Sequence, residues 1–354
     1  MRALGRLLPL ATVVGALALT LAVAAVVLAL GGYAPAEALG ALVRGSVGSP
    51  GALASITLVR AVPLLLTGLA VALAFRAGVW NIGAEGQLYA GAVAGVAVGL
   101  AAEGWPAAVA LPALLLASAG AGAAWAAVPA AMKLRLGVGE VITTLLMNFV
   151  AIHLAGWMVH GPLQEARGVF PQTDAIAVAA RLPVLVSGTR LHAGFALAVI
   201  AALLLWVFLR STLAGFHVRA VGAGREAAEV AGRISADRVM ARTFLASGAL
   251  AGLAGGVEVA GVTYALYEGL SPGHGYTAIA VALLAALHPL GVVLTATLFG
   301  ALEGGAGAMQ RVAGIPAAWV GGVEALVILS VLAIERTLRR LPGAVARTTV
   351  IPRA

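Results

Sequence analysis

The 354-residue sequence is 62% hydrophobic and 10% charged, with a mean hydropathy of +1.04 and a net charge of +8. Soluble domains carry roughly a quarter charged residues, so no soluble globular fold fits this chain. The absence of cysteine excludes disulfides, cysteine metal sites and thiol nucleophiles.

The apolar residues fall in blocks at about 8–30, 55–75, 87–102, 107–131, 138–158, 191–209, 242–262, 275–288, 289–308 and 318–335. A bilayer takes roughly 20 residues of helix to cross, and these blocks lack the alternating polarity of a spanning barrel. The expected fold is all-α: a polytopic membrane protein of about ten transmembrane helices. The first block follows Met1-Arg2 and outlasts a signal-peptide core, so it reads as a retained first helix. The eighth and ninth blocks are separated only by Leu287-His288-Pro289 and read as either a pair of short helices or a broken hairpin. Residues 1–54 then form the first helix and an outer loop, 55–335 the membrane core, and 336–354 a basic tail.

With ten crossings and the N-terminus inside, Arg44, Arg60, Arg167, Arg181, Arg190 and Arg311 lie outside. The other 16 of the 22 basic residues then lie inside, which is the asymmetry that cytoplasmic loops show. Both termini are therefore expected in the cytoplasm.

Polar groups within the hydrocarbon layer are costly unless partnered, so each one is a candidate for function. The densest run is Gly78-Val79-Trp80-Asn81-Ile82-Gly83-Ala84-Glu85-Gly86-Gln87. Its glycines can unwind a helix, and Asn81, Glu85 and Gln87 supply donors and acceptors. One reading is a pathway or gate element; the other, which spacing alone favours, is a polar cytoplasmic turn. Glu140, Thr144 and Asn148 share a helix face, with Thr143 beside them. That stripe lines a pathway or, as spacing favours, bonds a neighbouring helix. Glu258, Glu303 and Glu324 are isolated carboxylates and read as structural partners. The six histidines show no metal-ligand spacing.

The longest basic connection, 210–241, contains GREAAEVAG, a short helical signal between Gly224 and Gly232. It reads equally as a docking helix for another protein or as a solvated connector. The only lysine, Lys133, follows Met132, so the chain carries no P-loop and any ATP-driven process needs a separate subunit. No nucleophile–base signature is present, and the chain is not expected to be an enzyme.

Four strings go further. LLLTGLAVALAFRAGVWNIGAEGQLYAGA (65–92), VGEVITTLLMNFVA (138–151), HVRAVGAGREAAEVAGRIS (217–235) and GYTAIAVALLAALHPLGVVLTATLFGALEGGAGAMQ (275–310) resemble, in order, stretches of the permeases of ATP-binding-cassette importers for branched-chain amino acids, ribose and nucleosides. The chain looks most like the longer of the two permeases in nucleoside or simple-sugar systems. The resemblance implies a cell-membrane permease subunit with two pseudo-symmetric halves and a pathway built with a second permease, here a different chain. It implies a coupling segment that meets an ATPase through Arg219, Gly222, Glu226, Ala227, Ala228 and Gly232. It gives Asn81, Glu85 and Gln87 a functional role, with Glu140, Thr144 and Asn148 beside them. It places ATP and Mg in the partner ATPase, no cofactor in this chain, and a substrate-binding protein on the outer face. Gly224-Arg225 departs from the family, which often has Asn-Pro there, and Arg233 intervenes between Gly232 and Ile234. The alternatives to a nucleoside or sugar permease are an ion-coupled secondary transporter and a permease for branched-chain amino acids.

Overall fold

The computed structural model describes residues 21–316 except 233, with isolated positions on either side. The described residues are helical apart from their connections, and no strand forms among them beyond two isolated bridges. The helices are α1 (Leu21–Leu30), α2 (Pro35–Val47), α3 (Pro50–Arg76), α4 (Ala84–Ala101), α5 (Ala107–Leu136), α6 (Glu140–His160), α7 (Gly194–Ser211), α8 (Leu213–Ala223), α9 (Arg225–Gly232), α10 (Ala236–Thr263), α11 (His274–Leu284) and α12 (Pro289–Ala313).

Six of these, α3, α5, α6, α7, α10 and α12, are long and apolar enough to cross a membrane. α4 has 18 residues but opens on Glu85 and Gln87. Nearly half of the expected first span, most of the expected last one and the basic tail lie outside the described residues. The expected eighth and ninth spans resolve into unequal partners. α11 has 11 residues, about 16 Å of helix, while α12 has 25. Ala286 and Leu287 adopt left-handed conformations between them, and Pro289 starts the longer helix. The stretch after α1, read as an outer loop, contains α2, which begins with Pro35 in its first turn.

The chain divides into two compact units, one from residues 1–60 and 298–351, the other Ala61–Thr297. In the first, a methyl group on Gly45 would overlap Ala308, and one on Gly305 would meet the Leu42 carbonyl at 2.5 Å. The Thr57 hydroxyl donates to the Ser46 carbonyl at 2.8 Å within the same unit.

The second unit is built on α4, α5 and α10, which meet backbone to backbone. Gly91 of α4 abuts Gly252 of α10, Gly122 of α5 abuts Gly248 and Gly252, and Gly255 abuts the Leu88 carbonyl. Gly95 and Gly256 close on Ser118 from two sides. A side chain at any of these positions would force the helices apart. Much of the glycine content is thus explained: lipid supplies no hydrophobic drive for helix association, and small residues let dispersion contacts do that work.

Candidate functional site

The polar run 78–87 is not an extension of α3. Gly78 takes a left-handed conformation (φ 73°), and the Val79 amide closes on the Ala74 carbonyl at 3.0 Å, which ends the helix. Residues 77–83 then continue without helix until α4 starts at Ala84.

The depth of this loop follows from its partners. Asn81 bonds Ser247, the twelfth residue of α10, and Ile82 bonds Asn148, the ninth residue of α6. At 1.5 Å per residue those partners lie ~16 and ~12 Å from the starts of their helices, whereas Trp80 of the same loop bonds Glu140, the first residue of α6. The loop therefore enters beside the start of α6 and holds Asn81 and Ile82 inward, against α10 and α6. Non-helical backbone persists at that depth only where protein surrounds it, and the bonding shows how.

Asn81 is fully buried and saturated. Its Nδ2 donates to Gln87 Oε1 at 3.0 Å and to Ser247 Oγ at 2.9 Å. Its Oδ1 accepts from the Gly83 amide at 3.0 Å and from Gln87 Nε2 at 3.1 Å. Ser247 passes its own proton to the Ala70 carbonyl at 2.8 Å. Asn148, also fully buried, accepts from the Gly86 amide at 2.8 Å and donates to the Ile82 carbonyl at 2.9 Å. Thr144 accepts from the Ile82 amide at 3.3 Å. The Trp80, Ile82, Gly83 and Gly86 amides and the Ile82 carbonyl thus each find a side chain, as buried polar groups must. The glycine spacing has a matching cause: a Cβ on Gly83 would press on Asn81, Gln87 and Thr144, and one on Gly86 on Asn148, at 2.9–3.1 Å.

Glu85 extends this clamp to α11. Its Oε2 accepts from the Gly275 amide at 2.6 Å, and Gly275 lies so close to the Glu85 backbone that no side chain fits. Four residues on, the Tyr89 hydroxyl accepts from the Ser271 amide at 3.1 Å. Glu140 lies at the other end of the stripe, paired with Lys133 and accepting from the Trp80 amide at 3.3 Å. Thr143 bonds carbonyls of its own helix.

All six residues singled out as pathway or gate candidates therefore belong to one assembly, and it is buried and mutually bonded. None of them lines either of the two surface grooves, which are walled by residues such as Ala90, Ala121, Trp125 and Leu154 in one case and Val128 and Leu136 in the other. Ser247 and Gly275 are essential to the assembly, yet a lone serine and a lone glycine in alanine-rich helices gave no sequence signal. Glu258 and Glu303 sit half-buried in separate helices, and Glu324 lies outside the described residues. Among the described residues no group of side chains is arranged to hold a metal ion.

The basic connection forms two short helices. Thr212 caps α8 by accepting the Gly215 amide at 3.0 Å, and Gly224 separates α8 from α9. Gly222 packs on the backbone of Arg76 and Ala77, so α8 rests on the root of the clamp loop. Within α9, Arg225 pairs with Asp237 at 2.8 Å and Glu229 at 3.6 Å. Ala228 is buried, whereas Glu226, Ala227, Gly232 and Arg219 are exposed. Val230, which the sequence reading did not single out, is 85% exposed. Arg233 is outside the described residues.

A further buried polar group lies where the chain enters α7. His192 is 1% exposed, and its Nδ1 accepts from the Gly194 amide at 3.2 Å. The ring proton is thereby assigned to Nε2, which has no partner. Burial, reinforced by Arg190, holds the imidazolium down at about 4.

Comparison with known proteins agrees on a single family. The family model described as the permease component of the branched-chain amino acid transport system matches residues 53–332. The chain is 42% identical over 288 residues to the glucose ABC transporter permease protein TsgB13 of Haloferax volcanii, covering 78% of this chain and 75% of that one. It is 39% identical over 323 residues to the guanosine ABC transporter permease protein NupP of Bacillus subtilis, covering 89% and 91%. It is 32% identical over 275 residues to the nucleoside ABC transporter permease protein NupB of Lactococcus lactis subsp. cremoris, covering 75% of each. No solved structure matches.

Proposed function

The chain belongs to the family of permease components that includes the branched-chain amino acid transport systems, and from that premise we infer that it carries a nucleoside or a simple sugar into the cell. It is an integral membrane transport subunit of an ATP-binding-cassette system and not an enzyme. Such permeases work with ATPase subunits and a substrate-binding protein. The observation that carries the cargo assignment is the near end-to-end match to the guanosine permease, 89% of this chain against 91% of that one. The glucose permease, at 42% identity, supports the sugar arm of the same reading.

The rest of the proposal concerns assembly. Ten crossings and cytoplasmic termini fit the basic-residue asymmetry of the sequence, and two pseudo-symmetric halves are what membership of the family implies. A second, different permease completes the pathway. The ATPase, which holds ATP and Mg, docks on α9 through Glu226, Ala227 and Val230, while buried Ala228 seats that helix on its neighbours. Closure of the ATPases moves α9 and α8, and Gly222 passes the movement to Arg76 and Ala77 at the root of the clamp loop. The clamp residues Asn81, Glu85, Gln87, Thr144 and Asn148 hold that loop in shape while it moves, which makes them gate scaffolding in preference to solute ligands.

Uptake in proteoliposomes tests this. The assembled importer, given its binding protein outside and ATP inside, accumulates guanosine or glucose. Uptake by this chain alone under a pH gradient would remove the ATP-driven reading. ATP-driven uptake confined to branched-chain amino acids would remove the cargo assignment.

A further inference from the structure

We propose that Arg76 is a positioning residue of the transport cycle: it ties α8 to the left-handed turn between α11 and α12, and so to the helix that holds Glu85. The inference rests on the reading above, in which α8 and α9 receive the movement of an ATPase. It adds a second route from that arm to the clamp.

Arg76 is the last residue of α3, and its two ends meet two different elements. Its backbone carbonyl faces α8 so closely that a Cβ on Gly222 would lie 2.0 Å from it. Its half-buried side chain reaches elsewhere, and Nε donates to the Leu287 carbonyl at 3.1 Å, across 211 residues of sequence. Arg219 of α8 and His288 of the turn both lie within electrostatic reach of the guanidinium. One residue therefore touches both the arm and the turn.

The turn is what makes this bond informative. The Leu287 amide donates to the Ala282 carbonyl and the Ala286 amide to the Leu283 carbonyl, both at 2.9 Å, the pair of bonds that closes many helices. Such an end usually has glycine in its left-handed position, where a Cβ is unfavourable. Here Ala286 fills that position (φ 50°), and the buried Leu287 after it is left-handed as well (φ 57°). Alanine and leucine are among the strongest helix formers, so local preference would carry α11 onward through both. Pro289 disfavours helix at His288, the residue before it, and leaves Ala286 and Leu287 free to follow that preference. Tertiary contact holds the left-handed pair, and Arg76 supplies such a contact to its second residue.

From the turn the connection runs on to the clamp. Val281 of α11 accepts from the Thr295 hydroxyl of α12 at 2.9 Å, and the Gly275 amide at the start of α11 binds Glu85. Gly68 of α3 abuts both Val281 and Val292, so α3 lies against the two helices that the turn joins. α11 has only 11 residues and is gripped at its first turn by Glu85 and just past its last by Arg76. A short helix held at both ends is a strut. Displacement of α8 presses on the Arg76 carbonyl with no side chain between to absorb it, the Nε bond draws Leu287, and α11 passes the shift to Gly275.

The assembled importer in proteoliposomes, with its binding protein outside and ATP inside, provides the test. Uptake of guanosine or glucose and hydrolysis of ATP are measured together. Arg76→Gln removes the charge and the Nε donor. Hydrolysis should continue while solute carried per ATP falls about tenfold, a change within the ordinary range of coupling between sites. The contact is a single bond and not a fork, so Arg76→Lys should keep most of the wild-type ratio. Should Arg76→Gln assemble poorly, Ala286→Gly is added to it, because glycine takes the left-handed position without strain. The same fall is expected in that double variant, in which the turn is restored and the tie is not.

A wild-type ratio of solute to ATP in either glutamine variant overturns the proposal. So does a parallel loss of hydrolysis and uptake in both, because Arg76 would then support the fold alone. The unsubstituted importer separates the two levels of the reading. If it shows no ATP-driven uptake of either solute, the proposed function fails; if it is coupled and the glutamine variants are too, only the role of Arg76 fails.

Discussion

The clamp around Asn81 and the arm formed by α8 and α9 are both polar insertions in an apolar chain, and they are built in opposite ways. In the clamp the polar atoms turn inward and satisfy one another, so that Asn81, Glu85, Gln87 and Asn148 present almost no surface. In the arm the charged groups turn outward, and apolar side chains stand out with them: Leu213 and Phe216 on α8, and Val230 on α9. The contrast teaches that polarity at membrane depth does not by itself mark a ligand site. Unspent bonding capacity does, and the clamp has little of it.

Substitution is the most forceful way to break this comparison. Asn81→Leu strands the carbonyl oxygen and the amino group of the Gln87 side chain, and the Gly83 amide, in a dry interior. At about 1–3 kcal/mol for each stranded group, the loss is expected to reach roughly 3 kcal/mol or more. The yield of folded, monodisperse protein and its thermal midpoint measure this, and a variant as stable as wild type would show that the clamp carries no structural load.

His192 sharpens the same point, because it is buried like the clamp but has an unspent nitrogen. Its folded value of about 4 lies below the ordinary histidine value of 6.5, so the unfolded chain binds the proton more readily. The stability is complete above pH ~6.5 and is lost as pH falls toward 4, by about 2 kcal/mol at pH 5. Thermal midpoints at neutral and acid pH check this, and His192→Gln should flatten the slope; an unchanged slope would put the titrating group elsewhere.

The arm answers to the opposite experiment. Val230→Asp leaves the fold intact, because the side chain is in solvent, yet it should weaken recovery of the ATPase by about tenfold, as loss of an apolar anchor at an interface does. Full recovery of the complex would move the docking face off α9. Ala228 is unsuitable for that test, since burying a charge there would disturb the helix itself.

Much of this organisation was legible in the sequence, and what was not has identifiable causes. Gly224 and Gly232 punctuate α9, and the helix forms between them as expected. The stripe Glu140, Thr144 and Asn148 reads from spacing as lining a pathway or bonding a neighbouring helix; what it bonds is the clamp loop and the first turn of α4. The burial of the loop's polar side chains was not legible, because local spacing suits a surface turn equally well. It is fixed by Ser247 and Gly275, which are 166 and 190 residues distant from the clamp residues they bond. The burial of Ala228 was hidden for a similar reason: an alanine in a polar helix fits either face until its neighbours are known. α11 was hard to bound because apolar residues continue through the left-handed turn at Ala286 and Leu287.

The glycine seam joining α4, α5 and α10 has a mechanical consequence. Two surfaces that touch through side chains can slide by changing rotamers, but a backbone-to-backbone contact has no rotamers to change. Gly91 against Gly252, Gly122 against Gly248 and Gly255 against Leu88 act as welds, so the three helices have to tilt as one slab or not at all. Any movement of α4 therefore carries α5 and α10 with it.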